Sequence, residues 1–303
     1  MNDVIGLTNA LTDIIVKVTP EELDKIGLKK GFWNLKREIN REAFEELVKN
    51  KDKKLCQAGS PGNVVFNLAK LGFKTGLIGT LSNDKIGERY ISKLLEYEIE
   101  PYIEIAPGES GACYILISDD GERTSVANIG VGDKFGFNVR SIEKYRIFHT
   151  SGYELVTNPQ RTWEIINDMK SKGTKISFDL ADPKVIRNLR KGIEKVIEKT
   201  DILFMTEEEA KELRGNPQRA LDEEGEKRIT ILKKGKRGST IRWKNERYDF
   251  GIYETKVVNT CGAGDAFASG FISKYLENCR LDTCIQYGSK IASIICAREE
   301  SHL

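Results

Sequence analysis

The run Thr260-Cys261-Gly262-Ala263-Gly264-Asp265 leads into Ala266-Phe267-Ala268-Ser269-Gly270-Phe271, a small-residue turn followed by an apolar stretch. Two glycines let backbone N–H groups converge at a helix start without side chains in the way, and the helix dipole adds positive potential. Such a turn is an anion hole suited to the charge that develops on a transferring phosphoryl group. Asp265, in the first turn of that helix, can reach a hydroxyl and take its proton. The plainer reading is a glycine-rich turn with an Asp favouring a helix N-terminus. A second run, Ala58-Gly59-Ser60-Pro61-Gly62-Asn63, opens another helical stretch. Its small residues admit a ligand to the backbone, and Asn63 can donate to and accept from hydroxyls. The plainer reading here is a loop with Asn63 as an N-cap.

Something must hold these two turns together. Short β-rich runs alternate with helical patterns, which predicts a parallel sheet covered by helices. The expected core strands are 4–8, 75–79, 147–151, 175–179, 202–205 and 228–233. Helices are expected at 63–71, 84–97, 262–277 and 282–297, with Asn158-Pro159 opening a further one that Gly173 ends. The runs 13–18, 31–35, 102–105, 113–118 and 124–127 have no helices between them. They predict a small antiparallel sheet outside the main layer, with a turn at Asp119-Asp120-Gly121. The expected organisation is one α/β domain, 1–303, with a lid from about 12–37 and 100–128 inserted into it. A lid over the sheet's carboxyl edge would shield the site from water.

Composition narrows the function. The chain has 303 residues, with 48 Lys and Arg against 46 Asp and Glu. A net charge of +2 gives no reason to expect nucleic acid or an anionic membrane as a partner. Met1–Gly6 lacks the basic start of a signal peptide, and no apolar run is long enough to span a bilayer. The six cysteines form no Cys-x-x-Cys pair, so reduced thiols in a cytoplasmic protein are expected. His149 and His302 are the only histidines, which argues against a His-based metal site or a Ser-His-Asp triad; His302 reads as tail. Neither a Gly-x-Gly-x-x-Gly turn after the first strand nor a P-loop is present, which disfavours an NAD-dependent oxidoreductase and leaves phosphate binding to 262–265.

The two runs resemble the signatures of the ribokinase (PfkB) family of carbohydrate and nucleoside kinases, Gly59 through Gly79 being like the first and Val258 through Gly270 like the second. The similarity extends over almost the whole chain and is closest to the adenosine-kinase-like branch. Residues 6–14, Ser151-Gly152-Tyr153, Phe178-Asp179-Leu180-Ala181-Asp182-Pro183 and Asp201-Ile202-Leu203-Phe204 ahead of Glu207-Glu208-Glu209-Ala210 carry it further. The resemblance implies a Rossmann-like α/β fold with a β-sheet lid, ATP and Mg²⁺ as cofactors, and a nucleoside or sugar acceptor. It implies that Asp265 is the base and that Cys261, Gly262, Ala263 and Gly264 form the anion hole. Asn9, Asp13, Gly59, Ser60 and Asn63 would hold acceptor hydroxyls. Arg123 would meet the transferring phosphate, or be a solvated hairpin arginine. Lys233, Gly235 and Gly238 would border the nucleotide.

Four positions depart from the family. Asn259 stands where an Asp is usual beside a monovalent-cation site, which puts that cation in question. Ala58 replaces the first glycine of a pair. Thr206 replaces the Asn of an Asn-x-x-Glu motif used around Mg²⁺ and phosphate. Glu209 is kept as the metal candidate, although Thr206 and Glu209 also fit a helix capping box. Lys184 stands where the branch commonly has an aromatic that stacks on a base, which weakens adenosine as acceptor; Tyr153 is the remaining candidate face. Free-sugar phosphorylation and a non-catalytic metabolite-binding role are the alternatives. The oligomeric state is open between monomer and homodimer.

Overall fold

The structure, a computed structural model, describes residues 2–31, 33–57, 59–120, 122–134, 141–258, 260–298 and 303. Ala58, Gly121, Asn259 and His302, singled out above, lie outside the described residues.

In chain order the strands are β1 (Asn2–Leu7), β2 (Thr12–Lys17), β3 (Trp33–Leu35), β4 (Lys54–Gln57), β5 (Thr75–Leu81), β6 (Glu100–Ile105), β7 (Ala112–Ile117), β8 (Arg123–Asn128), β9 (Tyr145–Ser151), β10 (Lys175–Asp179), β11 (Ile202–Thr206), β12 (Ile229–Lys233), β13 (Ser239–Trp243) and β14 (Glu246–Phe250). Nine form one sheet in the order β14-β13-β12-β11-β10-β9-β1-β5-β6. From β12 to β6 every neighbouring pair is parallel, and β13 and β14 extend the sheet as an antiparallel hairpin.

Burial on both faces explains the near-continuous apolar strands. Alternation divides them: Leu203 and Met205 join one core with Ile165, Ile166 and Met169, while Ile202 and Phe204 join the other with Phe267, Phe271 and Leu68. The second core is covered by the helices Ser60–Lys70, Ala263–Leu276 and Leu281–Cys296. Two of these helices begin with the two glycine turns, so packing them on one face brings both turns to one edge of the sheet.

The remaining five strands form a second sheet, ordered β3-β8-β7-β2-β4. Its outer face packs Val16, Leu116 and Val126 on Leu23, Phe44 and Val48. Three expectations are corrected here. Residues 100–105 are not part of the second sheet: β6 pairs in parallel with β5, and the helix Lys85–Glu96 is the crossover between them. As an edge strand β6 keeps polar, partly exposed residues, which gave it the look of a lid strand. The second sheet is mixed, since β2 pairs in parallel with β7 and β3 with β8. It also gains β4, a four-residue strand paired antiparallel with β2, which the sequence reading did not find.

Candidate active site

The turn before Asp265 folds as its residues dictate. Gly262 caps the helix Ala263–Leu276 with φ 74°, a left-handed conformation a side chain would strain. Across the cleft, Gly59 caps the helix Ser60–Lys70 at φ 95°, and a Cβ there would lie 2.4 Å from Thr8 Oγ1. Asn63 is therefore not the N-cap; it sits inside the helix, its N–H donating to Gly59 O at 2.8 Å.

These helix starts meet at one carboxylate. Ser60 Oγ donates to Asp265 Oδ1 at 2.6 Å, and Asn63 Nδ2 donates to Asp265 Oδ2 at 2.8 Å. Burial pushes the Asp265 carboxyl up to about 6, against the two hydrogen bonds, which hold it down. Among the described residues the other end of the Asn63 amide, Oδ1, is buried with no partner.

Asp13, on β2, faces Asp265 from the second sheet. Its carboxyl is pushed up to about 7, first by burial and further by Asp265, while Arg123 pulls it down. It accepts no side-chain hydrogen bond from a described residue, so its oxygens are open to the cleft. Arg123, on β8, lies beside the Cys261 side chain, whose thiol burial pushes up to about 11 while the nearby guanidinium pulls it down. The second sheet therefore reaches the 261–264 turn through Arg123.

Asn9 is pinned at both ends. Its Nδ2 donates to Glu154 Oε1 at 3.3 Å, and its Oδ1 accepts from Thr157 Oγ1 at 2.8 Å. Glu154 was not singled out in the sequence. It is the third residue of a capping box on Ser151 and, fully buried, is pushed up to about 7. Its spacing from Ser151 was the available signal.

On the other side of the Gly262–Asp265 turn lies a cavity of about 660 Å³, bordered by Lys233, Gly235, Gly238, Ala263, Gly264 and Phe267. Gly235 and Gly238 have φ 56° and 86°, and a Cβ on Gly238 would lie 2.0 Å from Phe250 O. Lys234 pairs with Asp249 at 3.2 Å, and Arg237 pairs with Glu207. Lys233 instead pairs with Asp179 Oδ2 at 2.6 Å. Asp179 lies in the Phe178–Pro183 run, and nothing in its own spacing marks it as a site residue.

Glu209 sits close by. The capping box with Thr206 is formed: Glu209 Oε2 accepts from Thr206 N at 2.8 Å. Burial, then the charge of Asp179, pushes Glu209 up to about 7, opposed by Lys233. Lys184 is exposed at the start of the helix Pro183–Asn188. Tyr153 packs on the core, and its hydroxyl donates to Ala181 O at 3.3 Å. His149 is buried in β9, its Nδ1 2.9 Å from Ser177 Oγ, and burial pushes its ring down to about 4. Among the described residues no cluster of three His, Cys, Asp or Glu side chains is placed to hold a metal, and no helix is long and apolar enough to cross a membrane.

A cavity of that size and a carboxylate-lined cleft, separated by a glycine-capped helix start at the sheet edge, are the arrangement a small-molecule kinase needs. The chain belongs to the pfkB family of carbohydrate kinases, whose family model matches residues 21–302. It is 26% identical over 244 residues to an ATP-dependent ribose-1-phosphate kinase of Halopiger xanaduensis, covering 80% of each chain. It is 27% identical over 305 residues to a 5-dehydro-2-deoxygluconokinase of Lacticaseibacillus casei, covering 93% of this chain and 92% of that one. Among solved structures, adenosine kinase of Schistosoma mansoni with adenosine superposes with a TM-score of 0.90 at 22% identity, over 99% of this chain and 96% of that one. Adenosine kinase of Sinorhizobium meliloti gives 0.88 at 23%, over 100% and 96%. At those identities the structural likeness speaks for the fold: ribokinase-like, a large mostly parallel sheet with a smaller second sheet. The enzyme is an ATP-dependent phosphotransferase.

Proposed function

We propose that the enzyme moves the γ-phosphoryl group of ATP to a hydroxyl of a sugar, with Asp265 as base. The observation that carries this is the Asp265 carboxylate, both of whose oxygens are held from Ser60 and Asn63, facing the unbonded Asp13 across the cleft. Asn9, Asp13, Gly59, Ser60 and Asn63 surround the acceptor. Asp13 accepts from two neighbouring hydroxyls, and the free Asn63 Oδ1 accepts from another. Each Asp265 oxygen keeps a lone pair for the reacting hydroxyl. As that oxygen bonds to the γ-phosphorus, its proton passes to Asp265 and the bond to the β-phosphate oxygen breaks, releasing ADP. The N–H groups of the 261–264 turn and the Arg123 guanidinium take up charge on the transferring group. The second sheet acts as the lid that keeps water out.

Mg²⁺ suits the charge beside the donor cavity, where the Glu209 carboxylate is buried and the neighbouring ammonium, Lys233, is given to Asp179. Glu209 would hold the ion through water, and the bound ion would neutralise charge on the phosphates. A sugar is favoured over a nucleoside because Lys184, exposed at its helix start, offers no aromatic face for a base; Tyr153, half-buried against the core, is the one such face at those positions.

ADP release, measured with sugars, sugar phosphates and nucleosides and with ATP or ADP as donor, tests the reading. Turnover with a sugar is expected. Asp265→Asn should lower kcat by about 10²–10⁴ with acceptor KM little changed. Near-normal turnover in that variant, or none in the parent with any acceptor, refutes the assignment.

A further inference from the structure

We propose that Lys233 is a catalytic residue that donates to the phosphoryl group in transfer, and that Asp179 is the positioning residue that holds it there. This rests on the phosphoryl-transfer reading above. The other charged residues of the 233–238 loop are different in kind: Lys234 and Arg237 pair with Asp249 and Glu207 at the surface, and Lys236 is exposed. Lys233 is the last residue of β12, and its side chain is only 14% exposed. An ammonium has three N–H groups. One is given to Asp179, and no second hydrogen bond is made to a described residue.

A salt bridge serving stability alone would leave those donors buried and unsatisfied, which is unfavourable. Their surroundings say what they await. Nζ lies 3.3 Å from the point where a Cβ on Gly264 would be, directly against the anion-hole turn, and it borders the donor cavity. Arg123 meets the same turn from the second sheet, at Cys261. The turn is thus flanked by a cation on each side, with Asp265 at its end. The charges of Asp179, Glu209 and Asp265 keep the ammonium protonated in spite of its burial.

Asp179 is itself fixed. Its second oxygen, Oδ1, accepts from Ala181 N at 3.0 Å, and Ala181 is held at φ 73°, a conformation unfavourable for any residue but glycine. With one oxygen held by this turn and the other on Lys233, the carboxylate has one direction in which to point the ammonium.

The test compares Lys233→Met, Lys233→Gln, Asp179→Asn and the double variant Lys233→Met/Asp179→Asn in the full chain, using the acceptor found in the panel. Lys233→Met and Lys233→Gln should each lower kcat about a hundredfold, the scale of one lost transition-state donor. Acceptor KM should stay within about twofold. Asp179→Asn should lower kcat less, and the double variant should match Lys233→Met, because Asp179 acts only through Lys233. Full kcat in both lysine variants, with only a lower melting temperature, overturns the proposal. So does a double variant whose loss is the product of the two single losses, since Asp179 would then act on its own. Active lysine variants beside a dead Asp265→Asn sink this inference and leave the kinase reading standing; an inert parent sinks both.

Discussion

As the proposed base, Asp265 has to be a carboxylate when the hydroxyl arrives, so its environment would set the pH range of the enzyme. Burial raises it to about 6, although Ser60 and Asn63 both favour the charged form. A base works only when deprotonated, so kcat should be flat well above that value and fall tenfold per pH unit below it. Rate measurements from pH 5 to 8 check this. A profile that stays level down to pH 5 would mean that burial does not control Asp265. At this scale the sequence was legible where chemistry leaves a local mark. The glycine spacing around Asp265 predicts an anion hole without any knowledge of its partners. Ser60 and Asn63, some two hundred positions away, could be joined to it only through the resemblance to a family. Glu154 and Asp179 were not legible as site residues, because what matters is what each holds across the fold: Asn9 in one case, Lys233 in the other.

The elements matter because they fix where those side chains start. The helix Ser60–Lys70 begins on Gly59, whose positive φ and close approach to Thr8 admit no side chain. Gly59→Ala should therefore cost about 1–3 kcal/mol in strain. It should also raise acceptor KM, since Ser60 and Asn63 would move away from Asp265. Thermal denaturation and steady-state kinetics read the two effects. Unchanged kinetics in a folded variant would show that the turn does not position the acceptor side. Thr206→Ala tests the opposite case. Thr206 Oγ1 accepts from Glu209 N at 3.3 Å in the capping box, so its loss should cost about 1 kcal/mol. Strands buried on both faces announced themselves as apolar runs, and their limits were read within a few residues. The edges did not. In β4 the short run beginning at Lys54 has too few apolar positions to set a period, and β6 is partly exposed along its length, with neither a buried apolar run nor a clean alternation. Which sheet such a strand joins is decided by its crossover, not by its own residues.

At the scale of the molecule, the fold buries carboxylates that water would otherwise solvate. Asp13, Glu154 and Glu209 are each raised to about 7 and Asp265 to about 6, from ordinary values of 3.8 for Asp and 4.5 for Glu. Between the ordinary and raised values the folded chain binds more protons than the unfolded one. Stability must then fall as pH rises through that window, from about 4.5 to about 7.5. Two kinds of group work in the other direction: the ion-paired surface acids titrate lower, Asp120, held by Lys30, being pulled down to about 2, and His149, pushed down to about 4, acts inside the window but is one group against four. The unliganded enzyme should therefore melt at a higher temperature at pH 5 than at pH 8, contrary to the usual acid lability of proteins. Asp13→Asn removes one of the buried charges without changing side-chain size. It should flatten the curve, raise the melting temperature at pH 8, and weaken acceptor binding, because stability and function draw on the same carboxylate in opposite directions. Calorimetry across pH 5 to 8 on the parent and this variant decides it. A melting temperature that climbs with pH in the parent would mean that the cleft acids are solvated and that the second sheet does not close over them.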